Sequence, residues 1–196
     1  MNNSQQPISH EEKERFLQLI LPLRNRLLQY AQAVTNSREE RDDLVGDTIL
    51  AALQGFGKLE REGAFATWLF TIASRIEKRK RERGRRFQQY DAETDPEGVP
   101  SDYQNPDVGP DITALYRAIE QLPSEQREAI ALYEISGLSL EEIREIQGGS
   151  LSAVKMRLVR GRKRLAKLLG AIDEGESNTN NPTMTGENEE RTIQTA

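Results

Sequence analysis

Apolar residues recur at three- and four-residue steps along most of the chain, a helical rhythm. Phe16, Ile20, Leu23, Leu27, Tyr30 and Val34 follow it and predict an amphipathic first helix after a polar, frayed start. Pro22 inside that run predicts a kink or a later true start, because proline lacks an N–H and crowds the preceding turn. Asn36 and Ser37 end the helix, and Ser37 with Glu40 has capping-box spacing. A second helix is expected from about Arg38 to Leu53. Leu44, Thr48 or Ile49, Ala52 and Phe56 face inward; Asp42, Asp43 and Asp47 form an acidic rim, and Gly55 and Gly57 close it. After a loop hinged at Gly63, Phe65, Leu69, Ile72 and Ile76 make the buried stripe of a third helix, with Trp68 and Thr71 near its edge. Ile112, Leu115, Ile119 and Leu122 mark a short helix that Pro123 breaks. The next helix spans 124–136 and ends at Gly137.

The stretch 139–169 has the clearest pattern. Ser139 and Glu142 make a capping-box spacing, and Leu140, Ile143 and Ile146 give a short helix one apolar face. Gly148-Gly149 stop it, since glycine takes positive φ without a steric penalty. Ser150 is a good N-cap for a second, longer helix. Leu151, Val154, Leu158, Leu165 and Leu168 share one side of that helix, with Gly161 in the same seam. Ser152, Met156, Val159, Arg160, Lys163 and Lys167 share the other, and Lys155, Arg157, Arg162 and Arg164 lie on the flanks. From Lys155 to Lys167 there are seven basic residues and no acidic one. Two helices, a tight turn and a basic outer face describe a helix-turn-helix whose second helix suits a major groove. The competing description is a solvated basic helix in an ordinary bundle.

Charge sharpens this picture. The net charge of −5 argues against a nucleic-acid binder if taken as a sum, but the charge is segregated along the chain. Between Arg75 and Arg86 stand eight basic residues against two acidic ones, just after Phe65 and Trp68. Rings that stack on unpaired bases beside cations that neutralise phosphates suit single-stranded nucleic acid. A core tryptophan followed by a basic helix end, favoured by the helix dipole, would produce the same pattern. Residues 88–113 hold seven acidic residues, no basic ones and four prolines, the composition of a linker.

The chain therefore reads as all-α, with two small helical domains. One covers 10–87 and the other 111–170, joined by a flexible acidic linker over 88–110 and followed by a disordered acidic tail over 171–196. Hydrophobic residues at 36% suit two compact helical domains and not one large core. There is no cysteine, so disulfides and thiolate metal sites are excluded. No apolar run reaches the length of a membrane span, and the polar N-terminus is no signal peptide, so a cytoplasmic protein is expected. The single histidine, His10, sits beside Glu11 and Glu12 and reads as a surface residue. With no phosphate loop, metal cluster or nucleophile–base pair, neither enzymatic activity nor a cofactor is expected.

Three stretches coincide in order: DDLVGDTILAAL, FATWLFTIASRIEKRKR, and LPSEQREAIALYEISGLSLEEIREIQ followed by AVKMRLVRGRKRL. Together they resemble the sigma-70 family of bacterial RNA polymerase specificity subunits, in particular the extracytoplasmic-function group. The resemblance covers most of residues 15–169. It implies a non-catalytic initiation factor that binds core RNA polymerase at its β′ clamp and β flap, recognises promoter DNA and helps to melt it. It implies that Asp43, Leu44, Asp47, Thr48 and Leu50 dock on polymerase. It implies that the loop around Glu60 to Phe65, with Phe65, Trp68, Arg75, Lys78 and Arg79, reads and melts the −10 element. The −35 element falls to the last helix through Ser152, Lys155, Met156, Arg157, Val159, Arg160, Arg162, Lys163 and Arg164. The family also implies an anti-sigma factor as partner.

This chain departs from the family at four of these places. Gly46 stands where glutamine is usual, and a glycine inside a helix costs about 1 kcal/mol. Arg75 stands where asparagine is frequent. Met156 and Gly161 replace what are commonly serine and alanine, and Met156 offers the groove an apolar contact instead of a hydroxyl. The tail is a candidate shield for basic residues 155–167. The alternative function is a helix-turn-helix regulator that binds DNA as a dimer without polymerase. That alternative leaves the aromatic and basic helix at 65–86 without a task.

Overall fold

The computed structural model describes residues 9–88 and 109–170, with side chains considered for 9–84 and 109–170. The expected linker over 88–110 lies outside the described residues except at its ends, and the tail over 171–196 lies outside them entirely. Eight α-helices build the described parts: α1 (His10–Ile20), α2 (Arg24–Val34), α3 (Arg38–Gly55), α4 (Phe65–Gln88), α5 (Pro110–Glu120), α6 (Ser124–Ile130), α7 (Leu140–Gln147) and α8 (Leu151–Leu168). No strand occurs among the described residues.

The expected first helix is two helices. A 3-10 turn at Leu21–Leu23 carries Pro22 between α1 and α2, where its missing N–H costs no α-helical bond. The chain also orders earlier than its polar composition suggests. The Ser9 hydroxyl accepts from the Glu12 N–H, and the Glu12 carboxylate accepts from the Ser9 N–H. Such a reciprocal box satisfies two of the donors a helix start leaves open. The box at Ser37 is displaced by one residue, because the Glu40 carboxylate accepts from the Asn36 N–H at 3.0 Å.

An aromatic cluster closes the N-terminal half. Phe16, Phe56 and Phe65 meet edge to face, with centroids 5.4 to 6.1 Å apart. Such pairs add about 0.5–1.5 kcal/mol each beyond the area they bury. Gly55 serves this cluster and does not break the helix through its φ, which is −96°. A Cβ there would meet the Trp68 ring at 3.2 Å. Gly63, the expected hinge of the loop, sits in the 3-10 turn Glu62–Ala64 that leads into α4, without a positive φ.

The second half follows the expected order, with one irregularity. α6 runs into a π turn, Ala131–Ile135, in which the Ser136 N–H donates to the Ala131 carbonyl at 2.9 Å. Gly137, Gly148 and Gly149 take φ of 65°, 75° and 89°, so the turns before α7 and α8 use the one residue that adopts them freely. The apolar seam of α8 packs on α6: Val154, Leu158 and Gly161 are buried, and a Cβ on Gly161 would stand 3.1 Å from Ile130.

The two halves pack on each other. α2 lies against α5, α6 and the π turn, and α4 lies against α7. α4 therefore buries a wider band than the stripe expected from sequence, including Phe70, Ala73 and Ser74. Phe70 meets Tyr30 edge to face at 5.4 Å, and both are fully buried.

Candidate nucleic-acid interface

α8 presents its sequence-expected face. Ser150 caps it by accepting from the Ala153 N–H at 3.1 Å, and its buried seam fixes its rotation. Ser152, Lys155, Met156, Val159, Arg160, Lys163 and Arg164 are all exposed. Two of the nine expected contact residues have other tasks in this structure. Arg157 pairs with Glu125 at 3.1 Å and donates to the Gly148 carbonyl at 3.2 Å, so it clasps the turn that aims the helix. Arg162 pairs with Glu134 and lies 5.2 Å over the Tyr133 ring, fastening α8 to the π turn.

The α4 group divides likewise. Arg75, Lys78 and Arg79 stand exposed along one side of the helix. Trp68 is half-buried, its ring tilted against Phe65 at 5.9 Å. Phe65 itself is buried within the aromatic cluster, which corrects its expected place at a surface. It holds the wall against which the indole is set.

On α3, Asp43, Asp47 and Leu50 are exposed, Leu50 at 54%. Leu44 and Thr48 are buried, and the Thr48 hydroxyl donates back to the Leu44 carbonyl at 2.6 Å. The expected direct contact with a partner at these two positions is corrected, since the helical period turns both side chains into the core. Asp47 and Leu50 share a groove of about 260 Å³ with Gln54, Arg79 and Arg83, so the acidic helix and the basic helix border one concave surface. His10 is exposed, 3.5 Å from Glu14.

Sequence reasoning missed the polar seam between the halves. The Glu128 carboxylate accepts from Ser74 at 2.5 Å, Tyr30 at 3.4 Å and Gln147 at 2.8 Å. Glu142 accepts from the Thr67 hydroxyl while capping α7. Arg127 donates to the Asn36 side chain at 3.2 Å. The partners that join the two halves lie 54 to 98 residues apart, beyond any local sequence signal, and Gln147 joins Glu128 from 19 residues away. The seam borders a cleft of about 750 Å³ lined by Asn36, Glu40, Asp43, Glu77, Lys80 and Arg127, among others. Glu77 is pushed up to about 7 by burial, with Arg81 opposing and Glu128 adding to the shift.

That shift has a measurable consequence. A carboxyl that holds its proton more tightly when folded contributes stability at low pH and loses it as pH rises from about 4.5 to about 7. The cost at neutral pH is about 3 kcal/mol. Glu77→Gln should therefore raise Tm at pH 7.5, by on the order of 10 °C, and flatten the fall in Tm between pH 5 and 7.5. An unchanged pH profile in calorimetry would show that Glu77 ionises freely.

Known proteins bear out the family. Residues 19–87 match the sigma-70 region 2 profile, and residues 112–165 match the sigma-70 region 4 profile. The RNA polymerase sigma factor CarQ of Myxococcus xanthus is 31% identical over 133 residues, covering 67% of this chain and 76% of CarQ. The ECF RNA polymerase sigma factor EcfG of Rhodopseudomonas palustris is 30% identical, covering 76% of this chain and 84% of EcfG. The chain belongs to the extracytoplasmic-function sigma factors of the sigma-70 family.

The sigma factor's two matched regions coincide with its two packed halves. It directs transcription initiation at promoters together with core RNA polymerase, and the stand-alone regulator is set aside because that reading has no place for region 2. In solved structures it is similar to the sigma factor RpoE of Bartonella quintana in complex with the anti-sigma factor NepR. The TM-score is 0.65 at 30% identity, over 82% of this chain and 98% of that one. It is also similar to CnrH in complex with the cytosolic domain of CnrY, with a TM-score of 0.57 at 25% identity, over 82% of this chain and 91% of that one. Among the described residues no helix is long and apolar enough to cross a membrane.

Proposed function

We propose that this sigma factor docks on polymerase through α3 and opens and reads promoters through α4 and α8. Asp43, Asp47 and Leu50 supply the docking surface on the β′ clamp, with Leu44 and Thr48 behind them. Trp68, Arg75, Lys78 and Arg79 act at the −10 element, where rings and cations together hold unpaired bases and their phosphates. Ser152, Lys155, Met156, Val159, Arg160, Lys163 and Arg164 act at the −35 element. Domain limits of 10–87 and 111–170 suit this division, with 88–110 as connector. The protein works in the cytoplasm, without catalysis of its own. An anti-sigma factor is its expected antagonist, as NepR and CnrY are partners of the two structural neighbours.

The packed arrangement is then a resting one. The two promoter elements are about 25 base pairs apart, or about 85 Å at 3.4 Å per step. A compact body of this size is only roughly 40 Å across. The halves must part before α4 and α8 can occupy both elements.

The observation that carries the proposal is the pairing of an exposed basic α8 with an aromatic and basic α4 in one chain. Gel filtration with core polymerase tests it: co-elution is expected, and separate elution would contradict it. At the −35 element, Arg160→Ala should relax preference at one base position by about 10- to 100-fold, as loss of a base-edge contact does. Arg162→Ala should weaken all promoters alike, since Arg162 seats the helix on Glu134 and Tyr133. Promoter competition assays read the difference, and identical behaviour of the two variants would contradict the assignment.

A further inference from the structure

The α8 face has an apolar centre inside a cationic rim. At 100° per residue, Ser152, Met156, Val159 and Lys163 cluster within about 60° of one another, while Lys155 and Arg160 flank them on opposite sides. Met156 is 48% exposed and Val159 57% exposed. Neither packs on the protein core, whose seam on this helix is Val154, Leu158 and Gly161. Covering two large apolar side chains at the middle of a basic face is favourable, so a bound apolar group there gains affinity. Both lie in the N-terminal half of α8, the part of a recognition helix that reaches base edges.

The apolar group on the floor of a major groove is the thymine C5 methyl. Along the helix axis the two residues are about 4.5 Å apart, close to one base-pair step of about 3.4 Å. From this arrangement we infer that Met156 and Val159 form a methyl-reading pair that selects thymines at adjacent steps of the −35 element, on either strand. The inference rests on the proposed role of α8 at that element. Lys155 and Arg160 hold the rim, so the pair adds selectivity without adding charge.

The test uses the full chain bound to core polymerase. Promoters are first selected from a random duplex library by transcription in vitro. Each −35 thymidine in a selected promoter is then replaced by deoxyuridine, which removes the methyl and keeps the pairing. At one or two adjacent steps, binding should weaken by about three- to fivefold per methyl. Met156→Gln and Val159→Asn keep approximate size and change polarity at exposed positions, so the fold is retained. With these variants the deoxyuridine effect should vanish at the matching step, while the dependence of binding on salt stays unchanged, because no phosphate contact is lost. Full tolerance of deoxyuridine by the wild type would overturn the inference. So would an undiminished deoxyuridine effect in both variants, which would assign it to DNA shape. Failure of the holoenzyme to select any promoter would overturn the reading beneath it, a result distinct from selection followed by methyl indifference.

Discussion

A sigma factor locked in its packed arrangement should lose promoter-directed transcription by about a hundredfold or more. The chain has no cysteine, so Thr67→Cys and Glu142→Cys introduce a unique pair. These positions face each other across the seam, where the Thr67 hydroxyl donates to Glu142. A short bismaleimide joining them holds α4 against α7. With the halves fixed, only one of the two promoter elements can be occupied. Joining two binding events through one connector is worth about 10²- to 10⁴-fold, and the lock removes that gain. The same double variant capped with a monofunctional maleimide carries the same substitutions without the tether, and it should remain active. Equal transcription by the linked and the capped protein would show that the halves need not part.

The second large effect lies on α3. Asp47→Arg with Leu50→Asp should abolish co-elution with core polymerase, a loss of about a hundredfold or more for two central contacts. Both side chains are exposed, so thermal stability should stay within about 0.5 kcal/mol. Leu44→Ala is the contrast. It removes a core side chain and should destabilise the fold by about 2–5 kcal/mol before it affects any surface. Calorimetry beside gel filtration separates the two outcomes, and retained co-elution by the Asp47 and Leu50 variant would move the docking site elsewhere.

Local physics made much of this fold legible. The Ser139–Glu142 box, the Gly148-Gly149 turn, the Ser150 cap and the α8 seam all depend on residues a few positions apart, and each stands as expected except at the end of the seam, where Leu168 is exposed because α8 runs past the body it packs on. The exposed α8 face follows from the same period. Two kinds of feature were not legible. The first is choice among chemically similar arginines: Arg157 and Arg162 sit on the α8 flanks like Arg164, and only the approach of Glu125 and Glu134 gives them structural partners. The second is the seam between the halves. Tyr30 and Phe70 each fit a helical stripe, and nothing local says that they meet. Glu128 reads as an ordinary helix-surface acid until Ser74, Tyr30 and Gln147 converge on it.

The family's departures also gain physical content. Gly161 is tolerated, and suited, because Ile130 comes within 3.1 Å of where its Cβ would be. Gly46 has nothing within 4 Å of that point, so packing does not require it. It lies exposed between Asp43 and Asp47, on the surface assigned to polymerase.

Transcription in vitro from a random promoter library, with core polymerase plus this sigma factor, shows whether one chain reads two promoter elements. Two separate sequence blocks about 25 base pairs apart should be enriched, with thymines in the upstream block. Enrichment of a single block, or none above core polymerase alone, would contradict two-element reading by one chain.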